Sequence, residues 1–221
     1  MIKYYHKNNI FSIPFIKLIM KYIIHRGITS KDNEDNSYIS IKKALLDKTS
    51  LGVEFDIRLT KDHKIVLSHN SNIEGKIIED TNYNDIIKIK YLTTLDKILD
   101  INSNKIFLID IKTNNNYKQF GDILLKTLNN YNKNIYLASF DKKIIKYLNT
   151  KYKKSVITLL YKKHNYDFVI TNYMFINNNK INKIKNKEIF LWTIHNSNAL
   201  KEIKNKYCNI DNYYLIIDKK E

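Results

Sequence analysis

Nine short apolar runs rich in Ile, Val, Phe and Leu punctuate this chain: Lys21–His25, Gly52–Leu59, Ile65–His69, Lys105–Lys112, Asn134–Ser139, Ser155–Leu160, Asp167–Thr171, Glu188–Ile194 and Tyr213–Ile217. Lys/Asn-rich stretches with helical spacing separate most of them, among them Tyr38–Leu46, Thr94–Leu99, Phe120–Leu128 and Lys142–Leu148. Strands alternating with helices imply a parallel sheet with helices packed outside it. Nine strands are one too many for a closed barrel of eight. The step from the second run to the third removes the surplus. Only a few residues, around Lys61–Lys64, lie between them, whereas a parallel crossover takes about a dozen or more. This pair therefore reads as an antiparallel hairpin, with Ile65–His69 outside the barrel. The expected fold is α/β, a single (β/α)₈ TIM barrel with a β-hairpin extension after the second strand. An open doubly wound sheet is the rival arrangement, and the lack of a Gly-rich phosphate loop after any strand weakens it.

The chain has 221 residues, enough for one domain and slightly below the ~250 usual for such a barrel. Loops and helices must therefore be short. Residues 1–20 are expected to form an N-terminal amphipathic segment that caps the barrel, which occupies 21–221. The apolar stretch from Ile10 to Ile24 is broken by Pro14, Lys17 and Lys21. It is too short and too charged to span a bilayer, and it lacks the small-residue cleavage site of a secretory signal. A cytoplasmic location is the expectation. A single cysteine, Cys208, excludes an internal disulfide and a cysteine-based zinc site.

Lys and Arg number 38 against 22 Asp and Glu, a formal net charge of +16. That charge favours anionic partners, namely phosphate esters, acidic membrane surfaces or nucleic acid. Most of it is Lys, in a chain also rich in Asn, Ile and Tyr, the set that an AT-rich genome encodes. No specific nucleic acid partner is expected on that account. Arg behaves differently: only Arg26 and Arg58 remain, and both fall within the segments that carry chemistry.

Gly52-Val53-Glu54-Phe55-Asp56-Ile57 is the most informative of those segments. Side chains alternate along a strand, so Glu54 and Asp56 share one face, about 7 Å apart. Val53, Phe55 and Ile57 then face the helix layer, and the two carboxylates face the barrel interior. Two buried carboxylates repel one another unless solvent or a cation relieves them. Hard cations such as Ca²⁺ and Mg²⁺ take oxygen ligands of this kind. If Asp62-His63 is a two-residue turn, His69 lies opposite Asp56 and brings an imidazole beside the pair. Ile24-His25-Arg26-Gly27 ends the first strand, at the carboxyl end where barrels build their sites. There His25 could move a proton, Arg26 could fork onto phosphate oxygens, and Gly27 would let backbone approach a ligand. In Phe107–Lys112, Asp110 and Lys112 again share a face. Asp110 could complete a three-carboxylate metal site and Lys112 could neutralise a phosphate, although a salt bridge between layers reads equally well for this pair alone.

In this order the segments resemble the glycerophosphodiester phosphodiesterase family. The resemblance runs through His25-Arg26-Gly27, Glu34-Asp35-Asn36-Ser37, Gly52–Asp62, Val66-Leu67-Ser68-His69-Asn70 and Leu92–Asp96. It continues through Asp110-Ile111-Lys112, Ala138-Ser139-Phe140-Asp141 and Leu191-Trp192-Thr193-Ile194. It implies a (β/α)₈ barrel in which His25 and His69 act as general acid and base. It further implies that Glu54, Asp56 and Asp110 hold one divalent cation, Ca²⁺ or Mg²⁺. Arg26 and Lys112 would contact the phosphate of a small-molecule phosphodiester, and Trp192 would line the pocket for its alcohol part. Three positions depart from the family pattern. Asp110 stands where Glu is usual and should bind metal more weakly or through water. Asn70 stands where Asp is usual and should orient His69 more loosely. His195 stands where Asn is usual. Two other functions remain open: a silent barrel that binds anionic phospholipid headgroups or nucleic acid, and a lysophospholipase D or sphingomyelinase D type of enzyme. The apolar N-terminus would suit peripheral contact with an anionic membrane.

Overall fold

The computed structural model describes residues 21–181, 183, 184, 186–206 and 213–221. The expected N-terminal cap and Cys208 lie outside the described residues. A strand covered on both faces must be apolar on both, and that is how most of these strands read. The elements in chain order are β1 (Tyr22–Thr29), α1 (Tyr38–Leu46), β2 (Ser50–Leu59), β3 (Ile65–Leu67), β4 (Asn72–Ile73), β5 (Lys76–Ile77), α2 (Tyr83–Ile86) and α3 (Leu95–Leu99). They continue with β6 (Ile106–Ile111), α4 (Tyr117–Leu128), β7 (Asn134–Ser139), α5 (Lys142–Tyr147), β8 (Lys153–Thr158), β9 (Val169–Asn172), α6 (Asn178–Ile181), β10 (Ile189–Ile194), α7 (Ser197–Lys206) and β11 (Tyr213–Lys220).

Eight strands pair in parallel in the order β1-β11-β10-β9-β8-β7-β6-β2, and β1 pairs with β2 to close the barrel. β3 hangs antiparallel on β2 outside the closed ring, as the short 61–64 connection requires. The helices are small, α2 and α6 being four residues each. Residues 159–168 join β8 to β9 without a helix.

Residue parity builds two cores. Outward-facing Val53, Phe55 and Ile57 are fully buried beneath Ile41, Leu45, Leu95 and Ile98 of α1 and α3. Inward-facing Ile106, Leu108, Tyr136, Ala138, Phe168 and Phe190 fill the barrel, as stacked layers of alternate strands should. Gly52 makes one close approach possible, since a Cβ there would lie 2.3 Å from the Ile106 carbonyl oxygen.

One local expectation is corrected. The β2–β3 turn has three residues between Thr60 and Lys64, and His63 takes a left-handed φ of 67°. Pairing is thereby shifted by one, with Ile57 opposite Leu67. Ser68, whose N–H donates to the Asp56 carbonyl, takes the place expected of His69. Gly27 serves packing. Its φ is +89°, and a Cβ would lie 2.4 Å from the backbone of Ser40 in α1.

Candidate active site

The inward face of each strand continues past the apolar layers to the carboxyl end. There the sequence changes from Ile and Leu to charged residues: Ile106-Leu108-Asp110-Lys112 on β6 and beyond it, Glu54-Asp56 on β2, Tyr214-Ile216-Asp218 on β11, and Ile23-His25 on β1. Register aligns them across strands. Asp56 lies beside Asp110, and His25 beside Glu54. Glu54, Asp56 and Asp110 each bring a carboxylate oxygen within 4.8 Å of the others. All eight residues singled out from the sequence line one cavity of about 260 Å³: His25, Arg26, Glu54, Asp56, His69, Asp110, Lys112 and Trp192.

The three acids are not equivalent. Burial, with Asp56 and Asp110 close by, pushes the Glu54 carboxyl well above its ordinary value. Burial also raises Asp110, to about 6, against the pull of Lys112. Burial acts upward on Asp56 too, but Lys112 and Arg26 outweigh it and hold this carboxyl low. Lys112 Nζ lies 2.6 Å from Asp110 and 3.1 Å from Asp56. Arg26 Nε lies 2.9 Å from Asp56. Glu54 Oε2 and Asp110 Oδ1 are nevertheless buried without a hydrogen-bond partner. Ionised carboxylates only accept, and buried polar atoms are rarely left unmatched. Orphaned hard oxygens in a group of three fit a divalent cation such as Ca²⁺ or Mg²⁺. Asp110 reaches the group despite its short side chain, because β2 and β6 pair in register.

Both histidines have one anchored nitrogen. His25 Nδ1 is 2.7 Å from Asp218, and its Nε2 faces Glu54 at 3.8 Å. Asp218 is held low, near 2, by His25 and His195, which overcome the effect of burial. An ionised Asp218 can only accept, so His25 Nδ1 carries the proton and Nε2 is the nitrogen left for chemistry. His69 Nδ1 lies 3.0 Å from Asn70 Oδ1. Asn70 therefore supplies the anchor expected to be weakened by the loss of Asp. Arg58 fixes the same loop, with its guanidinium donating twice to the His69 carbonyl and pairing with Glu79 at 2.6 Å.

Sequence reading missed three supports. Asp218 continues the alternation Tyr214-Ile216, a signal cut off by ending the last run at Ile217. Asn36 binds Asp56 twice, donating to its carboxylate and accepting from its N–H, both at 3.0 Å. Asn36 holds a left-handed φ of 53°, one of the few conformations that favour Asn, just before the Ser37 cap of α1. His195 Nδ1 lies 2.5 Å from Asp218, so Asp218 bridges two imidazoles. Trp192 packs edge-on to Phe140 at 5.8 Å, and its indole N–H is buried without a partner.

A sequence profile described as the glycerophosphoryl diester phosphodiesterase family matches residues 25–203. No curated protein matches the chain. Solved structures share the fold at low identity. A glycerophosphodiester phosphodiesterase from Thermotoga maritima is 22% identical, with a TM-score of 0.72 over 90% of this chain and 95% of that one. One from Parabacteroides distasonis is 19% identical, with a TM-score of 0.73 over 90% and 93%. An Oleispira antarctica phosphodiesterase, solved with the product sn-glycerol-3-phosphate, is 13% identical with a TM-score of 0.77 over 90% and 94%. Closed barrel, ordered motifs and profile agree: the chain belongs to the glycerophosphoryl diester phosphodiesterase family, a class of phosphoric diester hydrolases.

Proposed function

We propose that this protein hydrolyses glycerophosphodiesters to an alcohol and glycerol phosphate by two-histidine general acid/base catalysis. The observation that carries the reading is the meeting, in one cavity, of three carboxylates, two of them with an unmatched oxygen, two singly anchored imidazoles and two cations. The bound product of the Oleispira neighbour supports the same substrate class. Glu54, Asp56 and Asp110 would hold one Ca²⁺ or Mg²⁺, which supplies Lewis-acid stabilisation of charge on phosphate oxygen when bound.

Arg26 and Lys112 orient the phosphate and offset its charge, exchanging part of their hold on Asp56 and Asp110 for substrate oxygens. One imidazole Nε2 takes a proton from the attacking water as its oxygen bonds to phosphorus. The other gives a proton to the alkoxide as the P–O bond to the alcohol breaks. Asp218 and Asn70 hold the two rings in the required tautomer. Trp192 borders the alcohol, and its free N–H can donate to it.

Glycerophosphocholine turnover tests the reading. Activity should fall on chelation and return with Ca²⁺ or Mg²⁺. His25→Ala and His69→Ala should each lower kcat by ~10²–10⁴-fold. Undiminished turnover in either variant would remove that histidine from the mechanism. Turnover indifferent to chelator would remove the cation.

A further inference from the structure

Nine large apolar side chains are exposed among the described residues. Five of them, Phe140, Leu159, Leu160, Met174 and Phe175, follow β7, β8 and β9. Those strands are neighbours in the barrel, so the five gather at its carboxyl end, along one side of the cavity mouth. Scattered exposed apolar residues are ordinary, but a contiguous set calls for a partner.

Phe140 joins this patch to the cavity. It is 53% exposed, yet it lines the cavity and packs on Trp192. Period-2 geometry extends the link inward. Ala138 precedes Phe140 on the inner face of β7, and Ile157 precedes Leu159 on β8. Ala138, Ile157 and Ile170 form the cavity wall on these same strands. An apolar track therefore runs from the wall to the rim.

Charge indicates what the track meets. Lys162 and Lys163 are exposed on the loop after β8, Lys142 and Lys143 are exposed at the start of α5 just after Phe140, and residues 159–166 contain no Asp or Glu. The nearby acids are engaged locally. Asp141 caps α5 and accepts from Thr113, and Asp167 accepts from the Lys154 N–H. Apolar side chains bordered by ammonium groups match an anionic lipid interface, where the former enter the acyl boundary and the latter meet headgroup phosphates. Residue 21, where residues 1–20 join the described chain, lies at the amino end of β1, at the opposite end of the barrel.

We propose that the loops after β7, β8 and β9 dock on an anionic phospholipid surface and set the cavity mouth against it. Resting on the phosphodiesterase reading, this makes the substrate class a lipid-borne glycerophosphodiester, such as a lysophospholipid, whose chain follows the apolar track. Sedimentation of the full chain with vesicles tests the docking. Phosphatidylcholine vesicles containing phosphatidylserine should carry the protein down, and phosphatidylcholine alone should not. Leu159→Ser with Leu160→Ser, and Met174→Ser with Phe175→Ser, should each cut binding at least about tenfold. Lys162→Glu with Lys163→Glu should abolish the preference for phosphatidylserine. All three pairs should keep wild-type turnover of soluble glycerophosphocholine, while the two serine pairs lose turnover of lysophosphatidylcholine held in the anionic vesicles. Absence of vesicle binding, or binding unchanged in the serine pairs, would overturn the proposal. Vesicle binding without hydrolysis of either diester would instead refute the phosphodiesterase reading and leave the docking face standing.

Discussion

Glu188 at the amino end of the barrel and Glu54 near its mouth are the same residue type on one sheet, and their surroundings differ in every respect. Glu188 lies just before β10 and accepts from the Tyr136 and Tyr214 hydroxyls at 2.9–3.0 Å and from Lys153 at 2.6 Å. Burial raises its carboxyl, but Lys153 and the two phenols outweigh it and hold it below its ordinary value. Glu54 keeps an unmatched oxygen among two other acids and is pushed upward. At one end of the barrel the carboxylate has its charge satisfied. The other leaves charge unbalanced at the opening of a cavity, as sites that trade stability for function do.

The largest expected contrast is in activity. Glu54→Gln should lower kcat/KM at least ~10²-fold, because under the proposed mechanism it removes a cation ligand worth several kcal/mol in the transition state. Glu188→Gln, on the far side of the aromatic layer formed by Phe168 and Phe190, should leave kcat/KM unchanged. A comparable loss in both variants would erase the distinction between the two ends.

Stability should move in opposite directions. Glu188→Gln disrupts charge-assisted hydrogen bonds and should cost about 1–3 kcal/mol in denaturant titration. Glu54→Gln removes repulsion among three carboxylates and should raise the stability of chelated protein by on the order of 1 kcal/mol. Added Ca²⁺ should stabilise wild type by mass action and leave Glu54→Gln unmoved. A destabilised, still cation-responsive Glu54→Gln would show that this side chain packs and does not ligate.

The sequence made the mouth far more legible than the base, for physical reasons. Period-2 alternation exposed Glu54 with Asp56 and Asp110 with Lys112, since a carboxylate on the inner face of an apolar strand has few explanations. A three-residue turn with left-handed His63 carries no such pattern, and the register beyond it was misjudged by one. Asn36 and Asp218 act through backbone conformation and strand length, which single residues do not announce. Glu188 resembles any acid before a strand. Only the closed ring, which brings Tyr136, Lys153 and Tyr214 together, gives it a role.

A smaller effect should appear in acid. The folded-state carboxyl of Glu188 lies below its ordinary 4.5. Its contribution is therefore complete above that value and is lost as pH falls through the folded value. Wild type should exceed Glu188→Gln in stability by a constant margin at neutral pH, and the margin should close below about pH 4.5. A margin that persists in acid would assign the effect to packing.

His195→Asn should change least and probes how the mouth is organised. His195 is the more exposed of the two imidazoles on Asp218, with 66% of its side chain accessible against 16% for His25. An exposed hydrogen bond contributes little, and Asp218 would still hold His25 at 2.7 Å. The variant should lower kcat by no more than about tenfold, the low end for residues that orient a functional group, and leave KM unaltered. Asp218→Asn removes the ionised acceptor from both rings and should cost more. If His195→Asn matched Asp218→Asn, the second imidazole would be as necessary as the carboxylate, and the mouth would work through a three-residue chain from His195 to His25.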